Sequence, residues 1–293
     1  MSLQSYQAAQ HDLSTKFGVR EAAKLYNSAA GICSYIRKEV INGDEVHSSL
    51  DLTPSSLEFC EKLLLAQGQD CVYRMASSQP NTLTSVLAKL ASAAVDLYAE
   101  ALVPLQTTEL LTKVSDWDDL IRCSQMLYRA RAEYHESAHI MYLICNRHTE
   151  APKDGYGVEI ARLTVAQSTI EQALLYGERV SKRDKSRSTC VVVTPPLLEI
   201  KRLKRQIIER KNQAELDNNE IYHERLPSAR FVATKICYHR APHSNYLISS
   251  QITQTNQTGA LEQMCCAKSI SSPRFTSKSW FCELTWATGI SCS

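Results

Sequence analysis

The sequence predicts an all-α protein, an elongated stack of helical hairpins with a disordered C-terminal tail. Three observations carry that reading. Punctuation is sparse, with 9 Gly and 9 Pro among 293 residues, so long uninterrupted elements are expected. Aromatics make up only 7%, and the apolar segments are built on Ala and Leu, which favour helix. Apolar positions recur at three- and four-residue spacing over roughly the first 225 residues, the period of an amphipathic helix.

The elements follow in order. Residues 19–42 place Ala22, Leu25, Ala29, Ile32, Cys33, Ile36 and Val40 on one helical face, and Gly43-Asp44 ends the run. Thr53-Pro54 then reads as a helix start, with Thr53 as cap and Pro54 at the first helical position, where its missing N–H costs nothing. That helix is predicted to reach Ala76. Gln79-Pro80-Asn81 breaks the chain, and a new helix opens near Thr82. Ser115 with Asp118 three residues on resembles a capping pattern for a long helix running to about Arg147. A loop at APKDGYG precedes a helix over 157–182, and Pro195-Pro196 closes a linker before a last helix over 197–217. Short breaks between long helices imply antiparallel neighbours. From about residue 242 the chain is rich in Ser and Thr and carries few charges, so the domain is expected to end at 241, with 242–293 a disordered tail.

Composition narrows the function. The 33 Lys and Arg nearly balance 31 Asp and Glu, for a net charge of +2. A nucleic-acid module would be strongly basic, so no nucleic-acid partner is expected. No run of about 18 apolar residues suggests a membrane span. The N-terminus shows no basic-then-apolar signal pattern, and a cytoplasmic location is expected. The 11 cysteines form no CxxC pair. Cys33, Cys71, Cys123 and Cys145 sit in apolar stripes, where a thiol serves as a small buried hydrophobe.

Two motifs offer chemistry. His135-Glu136-Ser137-Ala138-His139 is a literal HExxH, which on a helix can hold zinc between two histidines with the Glu as general base. A catalytic site needs a third protein ligand. No partner motif follows, and Glu150 and Glu159 are merely available. The pattern is therefore read as the polar face of a structural helix, with a zinc-dependent hydrolase as the alternative. The second motif is Lys201, Arg202, Lys204, Arg205, Arg210 and Lys211, opposite Ile200, Leu203, Ile207 and Ile208. It is read as a solvated face over a packed stripe, with a membrane-surface binder as the alternative. No phosphate loop, dinucleotide fingerprint or nucleophile elbow occurs, so a non-enzymatic binding protein without a cofactor or metal is expected.

Several separated blocks keep a recognisable order: LLLAQGQDCVYRMA (63–76), LAKLASAAVDLY (87–98), RARAEYHESAH (129–139), GVEIARL (157–163) and NNEIYHERLP (218–227), with FGVREAAKLYNSAAGICSYI (17–36) and DLTP (51–54) before them. Together they resemble the C-terminal portion of the Bro domain of Alix-like, ESCRT-associated proteins. The resemblance implies a partial Bro domain with a tetratricopeptide-like core, acting as a monomeric cytoplasmic adaptor in endosomal sorting and membrane remodelling. It implies as partner the C-terminal amphipathic helix of an ESCRT-III subunit, bound in a groove, with peripheral association to endosomal membrane. The family's apolar anchors fall here on Val72, Val86 and Leu90. Val72 replaces a large aromatic of the family, and Tyr73 is adjacent. The family carries a Tyr-His pair on the HExxH helix and is not metal-dependent. Tyr222 falls where Alix-like proteins carry a phosphorylatable tyrosine, although packing under its loop is the expected role. The chain departs from the family in lacking its N-terminal section with a small β-sheet, and residues 243–293 match nothing in it.

Overall fold

A computed structural model describes residues 2–40, 52–107, 115–149, 151–153, 155–184 and 196–228. Among these residues there are seven α-helices and no strand. They are α1 (Ser2–Gln10), α2 (Lys16–Tyr35), α3 (Pro54–Ser77), α4 (Thr84–Thr107), α5 (Ser115–Cys145), α6 (Gly155–Asp184) and α7 (Leu197–Asp217). Five-residue π-helical turns at Ile36–Val40 and Asn218–Tyr222 extend α2 and α7. The boundary expected at 241 and the tail expected over 242–293 lie outside the described residues.

Local chemistry sets the helix starts. The Thr15 hydroxyl accepts a hydrogen bond from the Gly18 amide at 3.0 Å, which starts α2 three residues ahead of the sequence expectation. Gly18 has no alternative, because a Cβ there would stand 2.1 Å from the Asp12 carbonyl oxygen. Thr53 caps α3 through the Ser56 amide at 3.2 Å, with Pro54 in the first turn. The turn into α4 is tied by the Thr82 hydroxyl, which donates to the Ala76 carbonyl at 2.7 Å. Helix α4 therefore opens at Thr84 rather than Thr82.

Each helix packs on its successor, from α1 on α2 through to α6 on α7. Cross-links fix the directions. Arg37 pairs with Glu61 at 2.7 Å, just after α2 and early in α3. Lys62 pairs with Glu100 at 2.8 Å, in the first half of α3 and towards the end of α4. Glu133 pairs with Arg162 at 2.8 Å between α5 and α6, and Glu159 with Arg210 at 2.7 Å between α6 and α7. These registers make the neighbouring helices antiparallel hairpins.

The core runs along the stack. Phe59 of α3 is sealed and meets Trp117 of α5 edge-on, with ring centroids 6.2 Å apart. Further along, Cys123, Leu127 and Ala130 of α5 pack with Ala166, Ile170 and Ala173 of α6 and with Ile200, Leu203 and Ile207 of α7. On α2 the buried stripe is Val19, Ala22, Ala23, Tyr26, Ala29, Ala30 and Cys33. Leu25 and Ile32, expected in that stripe, are only half-buried. Small residues face the neighbouring helix here and let the two backbones approach closely. Cys33, Cys71 and Cys123 are buried as expected, and burial pushes the Cys71 and Cys123 thiols up to about 12. Cys145, the last residue of α5, is exposed, contrary to expectation.

Candidate functional site

The face expected to bind a partner lies on the α3–α4 hairpin. Three cross-links set the register along it: Lys62 to Glu100, the Gln69 side-chain amide donating to the Leu90 carbonyl at 3.0 Å, and Thr82 to Ala76. Interpolating between them puts Val72 level with Val86. On α3, Leu65, Gln69, Val72 and Ala76 recur at helical spacing and are all half-buried. On α4, Leu90, Ala93 and Leu97 are likewise half-buried, and Val86, one turn before Leu90, is exposed at 40%. Leu83 stands 60% exposed at the near end. Such exposure of branched apolar side chains is unusual beside a packed core. Lys89 is the exposed cation between Val86 and Leu90. None of Val72, Val86 and Leu90 is sealed in the interior.

Behind this face lies a polar network that the sequence reading missed. Asp70 and Arg74, one turn apart on α3, pair at 2.7 Å. Asp70 also accepts a hydrogen bond from the buried Tyr128 hydroxyl of α5. Arg74 reaches Glu199 in the first turn of α7 at 3.3 Å, and the buried Arg131 of α5 pairs with the same carboxylate. The Arg131 guanidinium lies over the rings of Tyr73 and Tyr128, 4.8 and 4.7 Å from their centroids, in cation–π geometry. Glu199 is thus clasped by arginines from two other helices. The only sequence signal was a pair of charges, Asp70 and Arg74, embedded in an apolar helix.

The HExxH residues do not assemble a metal site. His135 turns toward α3 and shares a 2.8 Å hydrogen bond between its Nε2 and the Tyr73 hydroxyl. Burial, with Arg131 nearby, pulls the His135 imidazole down to about 4. His139 instead stacks on Tyr142. Among the described residues no three His, Cys, Asp or Glu side chains group as a metal would require. His135 is therefore half-buried rather than fully solvated, and it is tied to α3 on that side of α5.

A pH dependence follows. The folded-state value of His135 lies below the ordinary 6.5, so the unfolded chain takes up its proton first as pH falls. The stabilising contribution is present above about pH 6.5 and is lost as pH drops toward 4, by on the order of 3 kcal/mol. In urea denaturation at stepped pH, the parent should lose stability across this window relative to a His135→Gln variant. Parallel curves for the two proteins would remove the effect.

The last site residue, Tyr222, is 41% exposed rather than packed under its loop. It stacks on Tyr156 at the start of α6, with ring centroids 3.5 Å apart. The loop is held by other groups. The Glu224 carboxylate accepts from the Gly157 amide at 3.1 Å, and a Cβ at Gly157 would meet the Arg225 carbonyl oxygen at 2.2 Å. The backbone itself therefore fills the space in which the ring was expected. No helix among the described residues is long and apolar enough to cross a membrane.

A family model described as the BRO1-like domain matches residues 2–259, reaching past residue 243, from which no match was expected. The chain belongs to the BRO1-like domain family. Within this family it is 26% identical over 233 residues to programmed cell death 6-interacting protein of Rattus norvegicus, covering 78% of this chain and 23% of that protein. It is 25% identical over 213 residues to the pH-response regulator protein palA/RIM20 of Emericella nidulans, covering 73% and 22%. The chain thus spans under a quarter of the length of these curated relatives. Among solved structures it resembles the ALIX BRO1 domain in complex with CHMP4C, with a TM-score of 0.59 and 25% identity over 76% of this chain and 54% of that one. A Bro1 domain solved to explain endosomal targeting shares the fold, with a TM-score of 0.60 at 15% identity, covering 78% of this chain and 56% of that one. The BRO1-like assignment accounts for the stack of antiparallel hairpins.

Proposed function

We propose that this chain is a non-enzymatic adaptor of the ESCRT pathway, within a helical module over residues 1–241, whose α3–α4 face receives the C-terminal amphipathic helix of an ESCRT-III subunit. The observation that carries the reading is the row of partly exposed apolar side chains, Val72, Val86 and Leu90, set on a rigid hairpin. It is supported by the similarity to a BRO1 domain solved with CHMP4C. In such a mode the partner helix lays its apolar face into the groove, and central side chains supply most of the affinity. Val86 and Leu90 lie one turn apart on α4 and present a continuous ridge. Lys89 between them favours a partner with an acidic residue flanking its apolar stripe. The module works as a monomer in the cytoplasm, at the surface of endosomes. Tyr222, 41% exposed, is the phosphorylation site of this reading, on the strength of the family resemblance.

The test is fluorescence anisotropy with a labelled peptide of an ESCRT-III C-terminal helix. Val86→Asp should weaken binding by about thirtyfold or more, as at a central interface position, while the helical circular dichroism stays that of the parent. Exposed as Val86 is, the substitution leaves the core intact. Equal affinity for parent and variant would remove the groove from the reading.

A further inference from the structure

The outward side of α7 carries charge that the fold does not use. Its apolar side, Ile200, Leu203 and Ile207, is already buried against α5 and α6, so the helix has no second apolar stripe to offer. Part of its positive charge is consumed internally. Lys204 pairs with Glu171 at 3.2 Å, Arg210 with Glu159 at 2.7 Å and Lys211 with Glu215 at 3.3 Å. Lys201, Arg202 and Arg205 are exposed and form no ion pair among the described residues. They share the outward sector of the first two turns with Leu198, which is 84% exposed. A single carboxylate, Glu209, follows on that side. In the sequence, residues 179–211 hold eleven Lys and Arg against three acids, while the whole chain stands at only +2. The remainder is therefore net acidic, and the positive charge is concentrated in this one region.

The arrangement selects among anionic partners. The three cations lie side by side on one convex, exposed side of the helix, which offers no concave cradle for a single phosphate. No aromatic residue lies among residues 196–211 on which nucleic-acid bases could stack. What remains is an extended positive face with one protruding apolar side chain, which complements a flat anionic surface with an apolar interior. We propose that the outward face of α7 docks on a bilayer containing anionic lipid, with Lys201, Arg202 and Arg205 against the headgroups and Leu198 entering between them. This contact is separate from the α3–α4 groove and does not depend on what occupies it.

The experiment is co-sedimentation of the full chain with vesicles of one part phosphatidylserine to three parts phosphatidylcholine. Binding is expected there, not to pure phosphatidylcholine, and should weaken as salt is raised. Each cation removed should cost about fivefold in partitioning, so K201Q/R202Q/R205Q should lose roughly a hundredfold. Arg205→Glu alone serves as a second variant, a single exposed change that leaves the packed side untouched. Leu198→Ser should lower partitioning by less than the triple change. Failure of the parent to bind, or parent-like binding by both charge variants, would overturn the proposal. So would loss of binding only when Lys182, Arg183, Lys185 and Arg187 are neutralised, or capture of soluble polyglutamate with the vesicles ignored.

Discussion

Arg162→Met lowers the stability of the folded chain by about 3–5 kcal/mol, the penalty for stripping one partner from a buried ion pair. Arg162 of α6 and Glu133 of α5 meet at 2.8 Å with side chains 7% and 1% exposed. Neither charge can recover its hydration by a small movement. Even with Arg162 in place, burial raises the Glu133 carboxyl above its ordinary value. Without it the carboxylate has no compensating charge and is driven to take up a proton. The damage should therefore shrink as the solution is acidified, because a protonated Glu133 no longer presents an unpaired charge. A raised carboxyl binds its proton more tightly in the folded state, so its own contribution to stability falls as pH rises through that window. Urea denaturation at pH 7 and near pH 5 checks both statements. Adding Glu133→Leu to Arg162→Met should restore most of the loss, since a matched apolar pair is often as stable as the ion pair it replaces. A loss below about 1 kcal/mol at pH 7 would mean that the pair is solvated and its burial unimportant.

Phe59→Ala should cost about 3–5 kcal/mol, the range for deleting a large aromatic ring from a packed core. Phe59 is fully buried, and its edge-to-face contact with Trp117 joins α3 to α5. The deletion leaves a cavity and removes the ring partner together. Phe59→Leu retains most of the volume and should cost under about 1.5 kcal/mol. Thermal and urea unfolding followed by Trp fluorescence report both variants, with Trp117 close to the change. If Ala and Leu cost the same, the site collapses freely and is not tightly packed.

Much of the architecture was legible in the sequence where the signal was local. Thr53-Pro54 marked the start of α3, and the double proline before Leu197 marked the start of α7. The bounds 197–217 for the last helix agree with the structure. Features that depended on distant partners were not legible. The link between Arg74 and Glu199 joins positions 125 residues apart, and no local pattern announces it. The HExxH pattern reads as a polar helix face, and only the arrival of Tyr73 from α3 half-covers His135 there. Cys145 lies in an apolar stripe of the sequence yet faces solvent at the end of α5. On α2 the expected stripe holds at Ala22, Ala29 and Cys33, but Ala23, Tyr26 and Ala30 are buried where Leu25 and Ile32 were expected. For the candidate site, periodicity alone would have assigned Val86 and Leu90 to the core, since an apolar stripe usually faces inward. Their proposed role came from the resemblance, and their exposure comes from the structure.

If every helix leaned only on its successor, the molecule would melt like a row of stacked coins, loosening from either end while the middle stood. The clasp on Glu199 opposes this. By carrying a carboxylate from α7 to arginines on α3 and α5, it makes the departure of the last helix a loss felt by the third. Peeling α7 away would strand the Arg131 guanidinium in an apolar setting without its counter-charge, so fraying at that end is penalised far from where it begins. Such a closure turns a linear pile into a cooperative unit, able to hold the spacing of its hairpins when pulled from one side.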